Sequence, residues 1–221
     1  NEELKEKVLE LISEVGLKEE HFSRFRHAFS GGQLQRITIA RTLAMSPKAI
    51  VLDEPTSALD VSVQAKILKL LKKLQEEHNL TYLFISHDLA VISVISNRIA
   101  IMYLGKIVEL TDTKELFNSP MHPYTWALLT SNPEPIPRHK PKRIILKGEI
   151  PSPINPPSGC RFHPRCPFAK DICKKGEPPL AEVKKGHFVR CCFPYLAQKQ
   201  WMPLLEEKLT IRGKFTEKFR K

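Results

Sequence analysis

The chain has 221 residues, enough for one sizeable core or two modest ones, and a net charge of +11. No apolar run approaches the roughly 18 residues needed to span a bilayer, and an N-terminal stretch of mixed acids and bases does not read as a signal peptide. Five cysteines, an odd number, without such a signal argue against a disulfide framework.

The charge is unevenly placed. Residues 1–110 hold 14 Lys+Arg against 14 Asp+Glu, while residues 111–221 carry the other 21 against 10, together with 16 of the 18 prolines and every cysteine. That shift reads as two domains. A basic half could meet nucleic acid or anionic headgroups, but no Arg/Lys block is interleaved with stacking aromatics, so a solvated surface is the plainer reading. Opening on Asn1 rather than Met, the chain reads as a piece of something longer.

In chain order, Leu4, Val8, Leu11, Ile12 and Val15 recur at helical spacing, and Gly16 suits the C′ position that ends a helix. Ser30 followed three residues later by Gln33 fits a capping box, with Ile37, Ala40, Arg41 and Ala44 continuing a helix to Ser46-Pro47. Ala49–Leu52 is uniformly apolar and predicts a buried parallel strand, and it runs straight into Asp53-Glu54-Pro55. Acids there face the crevice in which α/β sheets bind ligands. A turn from Thr56 to Asp60 precedes a long helix bearing Ile67, Leu68, Leu71 and Leu74. Tyr82–Ile85 predicts the next strand, ending in Ser86-His87, and after a further helix Ile99–Tyr103, Gly105 and Ile107–Leu110 predict a hairpin. Strands alternating with helices give an α/β fold class.

Each of these pieces has a bland reading alone. Together, S-G-G-Q-x-Q-R, I-V-L-D-E-P-x-S-A-L-D and I-S-H-D resemble the ATP-binding-cassette (ABC) ATPases in order and spacing, with 20 residues from Gln33 to Asp53 and 34 from Asp53 to His87. The resemblance implies a partial nucleotide-binding domain over 1–110, acting in a head-to-tail dimer that sandwiches ATP. Ser30, Gly31, Gly32 and Gln33 would face the γ-phosphate seated on the other subunit, where a helix N-terminus offers unpaired amides and positive dipole. The missing Cβ atoms would let backbone approach the phosphate. Asp53 would hold Mg²⁺ through water, and Glu54 would be the catalytic base, its proton affinity raised by its like-charged neighbour with Mg²⁺ opposing that. His87 would sense the γ-phosphate, and Ser57 and Asp60 would belong to the loop crossing between subunits. The phosphate-cradling loop is missing, since no two of the nine glycines lie five apart. The expectation is a chain that does not turn over ATP alone.

The second half narrows the family. Glu115–Pro120, His122-Pro123-Tyr124-Thr125, Lys147–Pro153 and the cysteine-bearing run from Gly159 to Cys192 resemble the carboxy-terminal extension of dipeptide/oligopeptide importer subunits. That implies a small irregular cysteine-rich domain over 111–193, then a basic tail over 194–221 with Trp201 and Phe215. Cys160, Cys166, Cys173 and Cys191 are spaced too widely for typical zinc knuckles. The resemblance points instead to a [4Fe–4S] cluster in a structural role, with zinc and free thiols as alternatives. Cys192 reads as spare, because adjacent residues seldom point at one centre; either of Cys191 and Cys192 could ligate, and the resemblance, with one Cys after Gly-His-x-Val-x, favours Cys191. The implied partners are a second ABC ATPase subunit, two membrane permease subunits and, indirectly, an extracytoplasmic solute-binding protein, at the cytoplasmic face of the membrane and without nucleic acid. Peptides lead as cargo, with nickel and oligosaccharides as relatives' cargoes. The competing readings are an ABC ATPase linked to nucleic acid, drawing on the basic charge, and a non-hydrolysing fragment that keeps the cluster and dimer contacts.

Overall fold

A computed structural model describes residues 2–131 and 144–203. The fold divides into two compact units, Asn1–Ile95 and Ser96–Lys221.

In the first unit, helix α1 (Glu2–Glu14) ends as its sequence predicts. Gly16 takes φ 72°, Leu17 N–H donates to Ile12 C=O at 3.0 Å and Gly16 N–H to Ser13 C=O at 2.8 Å, the paired bonds of a Schellman motif. Helix α2 (Gly31–Leu43) starts on the expected capping box: Gln33 N–H donates to the Ser30 hydroxyl, and Ser30 N–H donates to Gln33 Oε1 at 2.9 Å. Arg36 of α2 donates to the carbonyl of Val15, tying α2 to the end of α1. Strands β1 (Ala49–Asp53) and β2 (Thr81–Ile85) pair in parallel, Asp53 opposite Ile85. Between them runs helix α3 (Val61–His78), capped by the Asp60 carboxylate, which accepts from the amides of Ser62 and Val63, and closed by Asn79 in the left-handed region. Short helix α4 (Leu89–Ile95) follows β2.

Ile39, Leu43, Ile50, Leu52, Ile67, Leu71, Leu74 and Val91 form the core of this unit. The strands differ from expectation. A uniformly apolar run predicted burial on both faces, yet β1 alternates: Ile50 and Leu52 are buried, while Val51 is 65 % exposed. On β2, Leu83 and Ile85 are 60 % and 46 % exposed. The described helices cover one face of the pair.

The second unit holds an antiparallel sheet ordered β3-β4-β6-β5, from β3 (Arg98–Tyr103), β4 (Lys106–Asp112), β5 (Ala181–Lys184) and β6 (His187–Val189). Leu104 and Gly105, both with positive φ, make the tight β3–β4 turn. This hairpin belongs to the second unit, so the fold divides before β3, whereas the compositional division at 110/111 falls inside β4. Helices α5 (Thr113–Asn118), α6 (Pro123–Ser131) and α7 (Asp171–Lys175) belong to the same unit.

One carboxylate organises this unit. Glu109 of β4 is fully buried and accepts from Met121 N–H at 2.7 Å, His122 N–H at 3.0 Å and His187 Nε2 at 2.7 Å. It satisfies orphan amides at the start of α6 from a distant strand, as a buried carboxylate must be satisfied in return. His122-Pro123-Tyr124 thereby gains its structural meaning. His122 is buried, accepts from Tyr124 N–H at 3.1 Å and packs on Phe162, and burial pushes its imidazole down to about 4, so it is neutral at pH 7. Residues 194–203 are helical, and Trp201 is buried edge-on against Trp126 with ring centroids 6.3 Å apart. The rest of the expected basic tail, residues 204–221 with Phe215, lies outside the described residues.

Candidate nucleotide site and thiol cluster

The residues expected to act on ATP lie in the first unit as two exposed groups, and no hydrogen bond joins them among the described residues. The first is the tip of α2. Ser30 and Gly31 are exposed at the helix N-terminus, presenting the amides and the positive dipole end outward. Gln33 Oε1 accepts from Ser30 N–H, and its Nε2 lies 3.2 Å from Nε2 of His21. The two glycines have different partners. A Cβ on Gly31 would meet Leu59 at an ordinary 3.5 Å, whereas one on Gly32 would come within 2.4 Å of Val63 Cγ1 on α3. Besides any approach of phosphate, Gly32 thus has a packing reason to be glycine, the close fit of α2 on the start of α3.

The second group stands at the carboxyl end of β1. Asp53 is exposed there. Glu54 turns out of the strand with φ 44°, a left-handed conformation that a non-glycine residue holds only when its surroundings fix it. Those surroundings are visible: Glu54 N–H donates to Ile85 C=O at 3.0 Å, and the Ser57 hydroxyl donates to Glu54 C=O at 3.1 Å. Glu54 Oε1 lies 2.9 Å from His87 Nδ1, bringing together residues 33 apart in sequence.

That contact reverses an electrostatic expectation. The Asp53 charge was expected to raise the proton affinity of Glu54. The hydrogen bond from His87 instead holds the Glu54 carboxyl below its ordinary range, with the His87 charge and the Ser57 hydrogen bond adding to it. His87 is raised in turn, first by its hydrogen bond to Glu54 and then by the charge of Glu54. Asp60 is lowered by the amides it caps, Val63 first, with the Ser62 hydroxyl next.

In the second unit the cysteines come together around α7. Cys160 N–H donates to Cys173 C=O at 2.8 Å, and Cys173 is buried. Burial raises the thiol of Cys160, pushes Cys166 up to about 11 and pushes Cys191 up to about 12. Each of the three also feels the charge of other cysteines, and each is partly relieved by the backbone amide two residues on, from Phe162, Phe168 and Phe193 respectively. Phe193 N–H lies 3.3 Å from Cys191 Sγ. Cys192, set aside as spare, is raised by burial and then by Cys173 and Cys160, so it belongs to the same group. Spacing could not show this, because neighbouring side chains converge only where the backbone bends between them. Among the described residues no three His, Cys, Asp or Glu side chains are arranged to hold a metal ion. Cys160, Cys166, Cys173 and Cys191 therefore do not form a single-ion site in this arrangement, and the expected metal role is not supported by one.

Comparison with known proteins gives these groups a context. Residues 1–57 match the family model for ABC transporters, and residues 108–173 match that for the oligopeptide/dipeptide transporter C-terminal region. Oligopeptide transport ATP-binding protein AppF of Bacillus subtilis is 56 % identical over 191 residues, 86 % of this chain and 58 % of that protein. Dipeptide transport ATP-binding protein DppF of Haemophilus influenzae is 49 % identical over 189 residues, again 86 % of this chain and 58 % of the relative. The chain thus spans somewhat over half the length of the curated relatives it matches. Among solved structures, an ATP-binding cassette of an ABC transporter in its ADP conformation superposes with a TM-score of 0.53 at 25 % identity, covering 60 % of this chain and 52 % of that one. At 49–56 % identity over 86 % of its length, the chain belongs to the ABC ATPase family, in the group of the oligopeptide/dipeptide transport ATP-binding proteins.

Proposed function

We propose that the chain is the signature-and-catalytic portion of an ATP-hydrolysing subunit that drives import of di- or oligopeptides through membrane permease subunits, working at the cytoplasmic face of the membrane. The observation that carries this reading is the exposed, capped tip of α2, which among the described residues no hydrogen bond ties to the acids of its own chain. Such a tip is free to grip a triphosphate held by a second ATPase subunit. The Ser30 hydroxyl accepts from Gln33 N–H and keeps its own proton for a phosphate oxygen.

Glu54 is the base of the reaction. Its Oε1 is engaged by His87, and the carboxylate is exposed at the strand end, where it can orient water. The lowered proton affinity keeps it ionised. Asp53 is the carboxylate for Mg²⁺, which retains most of its water and needs few protein ligands. Ser57 and Asp60 fix the loop between this site and α3, Ser57 through Glu54 C=O and Asp60 as the α3 cap. This sequence holds no phosphate-cradling loop, so hydrolysis requires that loop from the remainder of a full-length subunit.

For the cysteines we favour a structural [4Fe–4S] cluster held by Cys160, Cys166, Cys173 and Cys191. A cluster binds each thiolate to a different iron, so its ligands need not meet at one atom. The gathered thiols and the amides aimed at three of them support this. Burial holds these thiols in the neutral form, and a cationic centre would be needed for them to ligate as thiolates.

The test is Glu54→Gln in the full-length subunit. Turnover is expected to fall by about a hundredfold or more, with ATP retained and the dimer stabilised. Wild-type turnover removes Glu54 from its role.

A further inference from the structure

The arginines around the thiol segment are not equally satisfied. Arg161 donates to the carbonyl of Leu104, and Arg190 donates to Ile107 C=O and Pro178 C=O and pairs with Glu177 at 3.1 Å. Arg165, one residue before Cys166, lacks such partners. Its Nε is buried without a hydrogen bond, and among the described residues no carboxylate comes within ion-pair distance of its guanidinium. A buried donor left unpaired is destabilising, and a guanidinium cannot lose its proton to escape that cost. Arg165 lines a cavity of about 420 Å³ within the second unit, together with Tyr124, Ala127 and Leu128 of α6 and with Ile144–Leu146. That volume falls in the range of small-molecule sites, about 300–1,000 Å³. The Ile144 wall is pinned: its N–H donates to Thr130 Oγ1 at 3.4 Å, and its side chain packs against the Trp126 and Trp201 cluster. Ile145, 85 % exposed, stands at the rim. Burial raises the proton affinity of the Tyr124 hydroxyl, with Tyr103 adding to this and Arg165 opposing it, so the hydroxyl keeps its proton and can donate. The cavity therefore offers a fixed cation and a neutral donor among aliphatic walls.

We propose that this cavity binds a small carboxylate with an apolar tail, the carboxylate on Arg165 and Tyr124 and the tail against Leu128 and Ile144. The planar guanidinium fork matches a carboxylate. Inorganic phosphate would meet the charge but leave the aliphatic walls unfilled, and an uncharged apolar molecule would leave Arg165 unpaired. A free aliphatic acid and the carboxyl end of a short apolar peptide share the required chemistry. The proposal does not depend on the reading of the ATP site.

Calorimetric titration of the full-length subunit with hexanoate tests it. One saturable site per chain is expected, with hexanol and inorganic phosphate each at least about tenfold weaker, since each supplies half of the chemistry. Arg165→Gln is expected to weaken hexanoate at least about tenfold. Leu128→Trp, which fills the cavity and leaves the arginine in place, is expected to do the same, so the test does not hang on one variant. The dipeptide leucyl-leucine binding more tightly than hexanoate would assign the site to peptide ends, and weaker binding would assign it to aliphatic acids. No saturable hexanoate binding, or equal binding by wild type and Arg165→Gln, overturns the proposal. Binding that emerges only in Glu134→Gln overturns it too, because an acid of the chain itself would then be the occupant.

Discussion

Glu54 and His87 form an exposed pair, so their contact is written in proton affinities rather than in stability. Glu54 is lowered from 4.5 and His87 raised from 6.5, each chiefly by the other. The sign follows for each partner. The Glu54 contribution is complete above 4.5 and is lost as pH falls through its lowered folded value. The His87 contribution is complete below 6.5 and is lost as pH rises through its raised folded value. The pair is thus strongest between those two ordinary values and persists somewhat beyond them on either side. Proton NMR should place the His87 midpoint above 6.5, and Glu54→Gln should bring it back toward that value. An unmoved midpoint would show that the pair does not hold in solution. Sequence alone named both residues but not the effect of the histidine on the proton affinity of Glu54. Adjacency to Asp53 is visible in a sequence, whereas a histidine folded back across 33 residues is not.

At the scale of elements, the caps were legible because they are local. Ser30 with Gln33, and Gly16 with the end of α1, complete their bonds within five residues. What a local pattern could not show is which helix each glycine faces. At Gly32 two effects of similar size compete. Alanine would gain about 1 kcal/mol of helix propensity over glycine, but its Cβ would press to 2.4 Å from the stiff, β-branched Val63. Overpacking of that kind costs about 1–3 kcal/mol. Gly32→Ala should therefore destabilise the wild type yet stabilise a Val63→Ala background. Urea unfolding of the four members of the cycle measures this, and the same sign in both backgrounds would remove the packing role. Glu109 shows the same limit from the other side. A lone acid in an apolar strand announces nothing, and its meaning lies in Met121, His122 and His187, which reach it from elsewhere in the chain.

At the scale of the whole molecule, two features outrun what the described residues satisfy. One is the bare face of the parallel pair, with Val51, Leu83 and Ile85 exposed. Uniform apolarity is what a strand covered on both faces requires, so the sequence spoke for the complete sheet of the proposed subunit, and one layer is present here. The other is the thiol group, five cysteines drawn from a proline-rich segment where regular structure is sparse. Without a cation, buried thiols stay protonated and contribute only as small apolar groups. With a cluster, they become the covalent centre of a segment that cannot build a large core. Protein purified without oxygen should be brown and hold about four irons and four sulfides per chain. Cys166→Ser and Cys191→Ser should each strip the iron and loosen the segment to proteolysis, while Cys192→Ser should keep both. If iron survives Cys191→Ser but is lost in Cys192→Ser, the ligand is the neighbour that faces Cys173. A colourless protein with one tightly held zinc would replace the cluster with a single ion, and the thiols would then have to close further than they do here.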